Sequence, residues 1–302
     1  MTAKPSYLRL HRTGKLRERF ERARELLNPC RLCPRECGVN RRADETGVCR
    51  TGRQARVASS HPHFGEEPEL VGRDGSGTIF FQSCSLLCSF CQNYDISHCP
   101  GGTAVDPEQL AALMLDLASR GCHNINFVTP THVVPQILEA LLPAIDGGLD
   151  IPLVYNSSGY EKLETLRLLD GIVDIYLPDF KFWDNRWARK YCRAPDYRER
   201  ACAAIREMQR QAGGLRTDHR GIARRGLMVR HLVMPKGVAG TAELARFLAD
   251  EISPRTYLNI MAQYRPCGGA ARDPVIGRTL RPGEYRHALA EARAAGWHGP
   301  AG

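Results

Sequence analysis

Between residues 77 and 263, six short apolar runs (GTIFFQS, NINFVTP, IPLVYN, VDIYLPD, GLMVRHLVMP and TYLNIMAQ) alternate with stretches of helical periodicity. No other feature restricts the fold as strongly. Strands separated by helices read as parallel neighbours joined by right-handed crossovers. The helical stretches carry their own punctuation. In DPEQLAALMLDLASRG, Asp106 stands at the N-cap, Pro107 at the first helical position, Gln109 completes a capping box and Gly121 ends the helix. HVVPQILEALLPAI forms a helix only if Pro135 falls in its first turn. Six units fall short of the eight of a closed (β/α)8 barrel, and an open doubly wound sheet is the alternative. Thr129, Asn156, Asp179, His231 and Asn259 recur at the C-terminal ends of the runs. Barrel-type sheets build their sites there, so the expected fold is α/β, a (β/α)6 partial TIM barrel.

The flanks differ in texture. Residues 15–27 (KLRERFERARELL) read as a short charged helix with Leu16, Phe20, Leu26 and Leu27 as its apolar positions, and residues 184–212 are helical throughout. A cysteine-rich, Gly/Pro-punctuated stretch covers 28–56, and 57–76 looks irregular. The expected division is a helix and Cys-rich metal-binding extension over 1–76, the barrel over 77–263 and a C-terminal tail over 264–302. No apolar run approaches the twenty residues a membrane span needs, and the N-terminus lacks the apolar core of a secretory signal. The expected location is a reducing cytoplasm, where the chain's 12 cysteines read as metal ligands or buried thiols rather than disulfides.

Three of those cysteines, Cys84, Cys88 and Cys91, fall within the eight residues CSLLCSFC directly after the first run. Structural zinc takes four ligands, and no fourth Cys or His lies at a familiar short spacing. A disulfide would use two thiols and strand the third. Three thiolates in one loop suit a four-iron, four-sulfur cluster with one iron left open.

At these residues the sequence resembles a family. CSLLCSFC matches the C-x3-C-x-φ-C signature of radical S-adenosylmethionine enzymes, with Phe90 in the aromatic slot. CRLCPRECGVNR, PHFGEEPELVG, FCQNYDIS, NINFVTPTH, VYNSSGYE, DIYLPDFKFW, RHLVMP and MAQYRP resemble the subgroup named after pyruvate formate-lyase activating enzyme, and more narrowly its activating-enzyme-like branch. The resemblance covers about residues 28–266. It implies the same partial barrel, a [4Fe–4S] cluster on Cys84, Cys88 and Cys91, and S-adenosylmethionine bound at the open iron. It also implies an electron donor such as flavodoxin or ferredoxin, and a 5′-deoxyadenosyl radical that takes hydrogen from a substrate, as activating enzymes do from a protein or peptide glycine. Where the family often carries Gly-Gly-Glu at the end of the second strand, this chain reads Asn126-Phe127-Val128-Thr129-Pro130-Thr131, with no acidic residue. Thr129, Asn156, Ser158, Asp179, Lys181 and His231, with Arg230 beside it, stand at positions that resemble cofactor- or substrate-facing ones. No catalytic side chain is assigned.

A second set, Cys30, Cys33, Cys37 and Cys49, has the four thiols that tetrahedral zinc or a further iron–sulfur cluster requires, and its spacing does not choose between them. Of the scattered cysteines, Cys122 and Cys202 read as core, and Cys267 lies in a turn within reach of a site mouth. His61, His63, Glu66 and Glu67 (SHPHFGEE) precede the first barrel strand; they would line the barrel and are not read as catalytic.

The net charge of +9 is carried entirely by residues 1–56, with 15 Lys and Arg against 6 Asp and Glu; the remainder holds 27 of each. The excess offsets nearby metal-bound thiolates, or else it contacts nucleic acid. With Arg216, Arg220, Arg224 and Arg225, the second option makes RNA modification the alternative reading. A non-catalytic iron–sulfur carrier is a third, weakened because carriers supply four ligands to each cluster and need no barrel.

Overall fold

The computed structural model describes residues 4–299; residues 1–3 and 300–302, the outermost parts of the expected extension and tail, lie outside the described residues. The chain opens with helices α1 (Tyr7–Arg12) and α2 (Lys15–Glu25). Leu16, Phe20 and Ala23 form the buried stripe of α2, while Arg17, Arg22 and Arg24 face solvent. Tyr7 is fully buried and donates its hydroxyl hydrogen to the Ile151 carbonyl at 2.8 Å.

Residues 55–63, largely read as irregular from the sequence, form a nine-residue strand, β1 (Ala55–His63). Its small and polar residues, and Pro62, mask the usual strand signal. Pairing supplies what local propensity lacks: β1 runs antiparallel to β2 (Ser76–Phe81), from Val57 opposite Phe81 to His63 opposite Ser76, with a bulge between Val57 and Ser59. The short helix α3 (Pro68–Val71) lies between these two strands.

After β2 come α4 (Tyr94–His98), β3 (Thr103–Val105), α5 (Pro107–Ser119), β4 (Ile125–Val128), α6 (Val134–Asp146), β5 (Leu153–Ser157), α7 (Leu163–Leu168) and β6 (Ile175–Pro178). The capping box of α5 forms as expected: the Gln109 N–H donates to Asp106 Oδ1 at 2.7 Å, and the Asp106 N–H donates to Gln109 Oε1 at 3.0 Å. Asp106→Ala removes the first of these bonds and is expected to cost about 1 kcal/mol in denaturant unfolding. Pro135 falls in the first turn of α6, where its missing N–H has no partner to lose.

The expected helix over 184–212 is two helices, α8 (Asn185–Cys192) and α9 (Tyr197–Ala212). Arg193 adopts a left-handed conformation (φ 51°) and Pro195 follows two residues later, which stops α8 and redirects the chain. The two-residue strand β7 (Arg216–Thr217), β8 (Ala223–Leu232), α10 (Thr241–Phe247) and β9 (Tyr257–Met261) complete the sheet. The chain then forms α11 (Pro282–Ala294), and the indole of fully buried Trp297 donates to the Thr256 carbonyl at 2.8 Å.

Strands β2, β4, β5, β6, β8 and β9 pair in that order, all parallel, which makes the six-stranded partial barrel the alternation predicts. The remaining strands, β1, β3 and β7, are antiparallel additions. The sheet does not close, and three glutamates span its open side. Glu66, Glu67 and Glu69, all between β1 and β2, reach Arg230 on β8 (2.8 Å) and Asn259 (3.0 Å) and Tyr257 (2.9 Å) on β9. Side chains of α1 and α2 share one apolar core with the barrel strands and helices.

Candidate active site

The loop between β2 and α4 carries Cys84, Cys88 and Cys91. Ser83 (φ 72°) and Leu87 (φ 55°) are both left-handed, so the loop coils on itself; the Leu86 N–H points to Cys84 Sγ at 3.3 Å. Leu86 and Phe90 anchor it in the core, Phe90 edge-on to Phe182 at 5.6 Å. The small and apolar spacers therefore have a purpose: they hold the loop down while the three thiols line one cavity of about 350 Å³. Burial pushes the Cys84 thiol up to about 12, with Cys88 and then Cys91 adding to the rise; the thiols are close enough to sense one another.

The opposite wall comes from the C-terminal ends of β4, β5, β6 and β8. Thr129, Asn156, Ser158, Asp179 and Lys181 all line the cavity. Thr129 holds a left-handed backbone (φ 61°), costly for a β-branched residue, and its N–H donates to the Asn156 carbonyl at 2.9 Å. Gly159 (φ 74°) lets the loop after β5 close over β6: a Cβ there would stand 2.4 Å from the Asp179 carbonyl oxygen. Ser158 is thereby turned inward, and its buried Oγ has no hydrogen-bond partner.

Arg230 organises this wall. Its guanidinium donates to Asp179 Oδ1 at 3.1 Å, Glu66 Oε2 at 2.8 Å and Asn156 Oδ1 at 2.6 Å, and Lys181 Nζ donates to Asp179 Oδ2 at 2.7 Å. Burial alone would raise the Asp179 carboxyl, but Lys181 and Arg230 outweigh it and hold the group below its usual range. Burial would likewise lower Lys181; Asp179, aided by Cys88, carries it well above its ordinary value. Both groups are therefore charged at neutral pH.

His231 does not belong to this wall. Successive β8 side chains alternate, and Arg230 and Leu232 take the cavity side. His231 points the other way, fully buried, with Nδ1 2.8 Å from the Phe180 carbonyl oxygen and Nε2 2.9 Å from Thr241 Oγ1. Burial pushes it down to about 4, so it is a neutral packing residue. On this strand it is Arg230, one residue earlier, that faces the cavity. Glu66, set aside in the sequence, lines the cavity with 7% side-chain exposure. Its signal in the sequence is the GEE triplet, and its partner, Arg230, lies 164 positions away on β8.

Near this wall lies a third acid. Glu161 is buried, accepts from Thr131 Oγ1 at 2.6 Å and from the Tyr155 hydroxyl at 3.1 Å, and is pushed by burial from 4.5 up to about 7. A carboxyl that titrates higher folded than unfolded destabilises progressively as pH rises from about 4.5 to about 7. Glu161→Gln is therefore expected to stabilise the protein at pH 8 by about 3 kcal/mol relative to its effect at pH 4, in paired urea titrations.

Cys30, Cys33 and Cys49 are buried and Cys37 is half-buried. Burial raises the Cys33 thiol to about 12, and Cys49, Cys30 and Cys37 each push it further, so the four are neighbours. Among the described residues, no three or more His, Cys, Asp or Glu side chains converge where a single metal ion would sit. This holds for both cysteine sets. A single zinc ion would need its four thiols to close in on one point, whereas a four-iron cluster spreads its thiolates over a cube. Three adjoining thiols, an inward Ser158 hydroxyl without a partner and a charged wall fit a cluster and a polar, zwitterionic cofactor.

Arg216, Arg224 and Arg225 line a different cavity, with Lys4, at the N-terminal ends of β5, β6 and β8. In a parallel sheet that is the opposite end from the cysteines.

A family model of the radical SAM superfamily matches residues 78–214. The uncharacterized protein MJ0674 of Methanocaldococcus jannaschii is 31% identical over 284 residues, which are 90% of this chain and 76% of that protein. The crystal structure of methylornithine synthase (PylB) is a remote likeness, with 13% identity and a TM-score of 0.43, over 72% of this chain and 62% of that one. The chain belongs to the radical SAM superfamily. That membership implies an enzyme with a [4Fe–4S] cluster that cleaves S-adenosylmethionine, and a reductant of the flavodoxin or ferredoxin kind. No helix among the described residues is long and apolar enough to cross a membrane.

Proposed function

We propose that Cys84, Cys88 and Cys91 hold the cluster with one iron open to the cavity. In this reading Thr129, Asn156, Ser158, Asp179, Lys181 and Arg230 hold S-adenosylmethionine, and the hydrogen donor is a glycine in a protein or peptide. The observation that carries the site assignment is that the three thiols and this wall face a single cavity at the C-terminal end of the barrel. When bound, the cluster and S-adenosylmethionine supply a 5′-deoxyadenosyl radical by reductive cleavage of the S–C5′ bond. The chain's own residues do the rest. Arg230 and Lys181 keep Asp179 ionised as an acceptor for the cofactor's amino or hydroxyl hydrogens, and Lys181 offers a cation to its carboxylate. Phe90, Val128, Leu232 and Met261 give the cavity an apolar lining that limits water.

The glycine assignment rests on the resemblance to activating enzymes. Its test uses protein from cells grown on α-deuterated glycine, incubated with loaded enzyme, S-adenosylmethionine and dithionite. Deuterium in the 5′-deoxyadenosine supports a glycine donor; product free of deuterium excludes it. RNA modification is the weaker alternative, because Arg216, Arg224 and Arg225 lie at the far end of the barrel from the thiols.

Thr129 offers a sharper probe of cofactor contact. Thr129→Gly relieves a left-handed β-branched residue, and is expected to match or exceed wild type in denaturant unfolding while binding S-adenosylmethionine about tenfold more weakly. Equal affinity would remove Thr129 from the cofactor wall. The second cysteine set is proposed to close around zinc or a further cluster. Metal analysis of Cys33→Ser against wild type should show the loss of either one zinc or several irons; unchanged content would leave four metal-free thiols.

A further inference from the structure

Cys192 is the last residue of α8 and is fully buried, with its Sγ 3.4 Å from Cys88 Sγ. That approach is built into the fold. The Ser89 N–H donates to the Tyr191 carbonyl at 2.8 Å, tying the cysteine loop to the end of α8. Arg35 ties it a second time: its guanidinium donates to the carbonyls of Ser85 at 2.9 Å, Leu86 at 3.1 Å and Cys192 at 2.8 Å. The backbone on both sides of the sulfur pair is therefore held.

A thiol is a weak hydrogen-bond donor, and a negatively charged sulfur is the best acceptor it can meet in a buried site. Hydrogen bonds to the sulfurs of an iron–sulfur cluster help set its reduction potential, because they stabilise the more electron-rich state. We propose that Cys192 is a positioning residue for the cluster: its Sγ–H donates to the sulfur of Cys88 and raises the reduction potential. The inference rests on Cys88 being a cluster ligand, as proposed above.

The test compares wild type, Cys192→Ser and Cys192→Ala, each reconstituted without oxygen, by iron and sulfide analysis and by a redox titration followed by electron paramagnetic resonance. Serine keeps a donor and alanine removes it. The expected result is equal cluster content in all three, a more negative midpoint potential in Cys192→Ala, and a potential near or above wild type in Cys192→Ser. If the alanine cavity hinders loading, Cys192→Val fills the space without a donor and gives the same comparison. Equal potentials in wild type and the donor-free variants overturn this inference and leave the cluster assignment standing. Loss of iron in both Ser and Ala variants makes Cys192 a ligand and also overturns it. Absence of a cluster in wild type overturns both readings.

Discussion

Cys88→Ala is expected to abolish 5′-deoxyadenosine formation, to the level of a control without enzyme, and to lose most of its bound iron. The loop offers only Cys84, Cys88 and Cys91 to one cavity, and the open-iron arrangement needs all three. Removing the middle thiol leaves two, at least one short of a site that must already leave one iron free. The geometry also names a group that could rescue it: Cys192 Sγ lies 3.4 Å from Cys88 Sγ. The single variant is therefore measured beside Cys88→Ala/Cys192→Ala. Product from both proteins, made at the wild-type rate with full iron content, would sink the assignment of the loop as cluster site. Product from the single variant alone would mean that Cys192 had stepped in.

Arg230→Ala should have the second-largest effect, and on stability as well as binding. It leaves Glu66 and Asp179 facing a largely buried space with Lys181 as the remaining cation on Asp179 and Glu66 without one. Breaking such a network by removing one partner costs about 3 kcal/mol, at the lower end of the range because Arg230 and Asp179 keep some exposure. The loss should narrow in acid. Asp179 titrates below its ordinary 3.8 in the folded protein, so its pairing contributes stability above about pH 4 that fades as pH falls through the lowered value. Binding should also fail, since Asn156 and Asp179 lose the group that aligns them. Urea titrations at pH 7 and pH 3, with equilibrium dialysis of S-adenosylmethionine, check both parts. A variant as stable as wild type at pH 7 would show that water, not Arg230, compensates these carboxylates.

Much of the architecture was legible because its causes are local. The period of the apolar runs marks β2, β4, β5, β6, β8 and β9, and the Asp106–Gln109 pair marks the start of α5. The strand β1 was not legible, because ARVASSHPH has little strand character of its own and is held by pairing with β2, which lies beyond it in the chain. The break between α8 and α9 was available in Arg193-Ala194-Pro195, but helical composition on both sides hid it. The same division runs through the site. Thr129, Asn156 and Asp179 end strands, so counting strands finds them, while Ser158 and Lys181, just beyond, were marked by the family resemblance. His231 ends a strand too, yet the pleat turns it outward and offers Arg230 instead.

By itself the sequence determined six strands alternating with helices, the loop with three thiols and the end of the sheet that carries the polar residues. All of these follow from spacing along the chain, through the periods of helix and strand and the spacing of three cysteines. Only the tertiary structure decided that Glu66 meets Arg230 across the open side of the sheet, that His231 is packing, that Cys192 touches Cys88 and that the arginines of 216–225 lie away from the thiols. The first three rest on contacts between residues far apart in the chain: 51 positions for Phe180 and His231, 104 for Cys88 and Cys192, and 164 for Glu66 and Arg230. Side-chain facing and long-range approach are set by the packing of the whole sheet and leave no periodic trace in the chain.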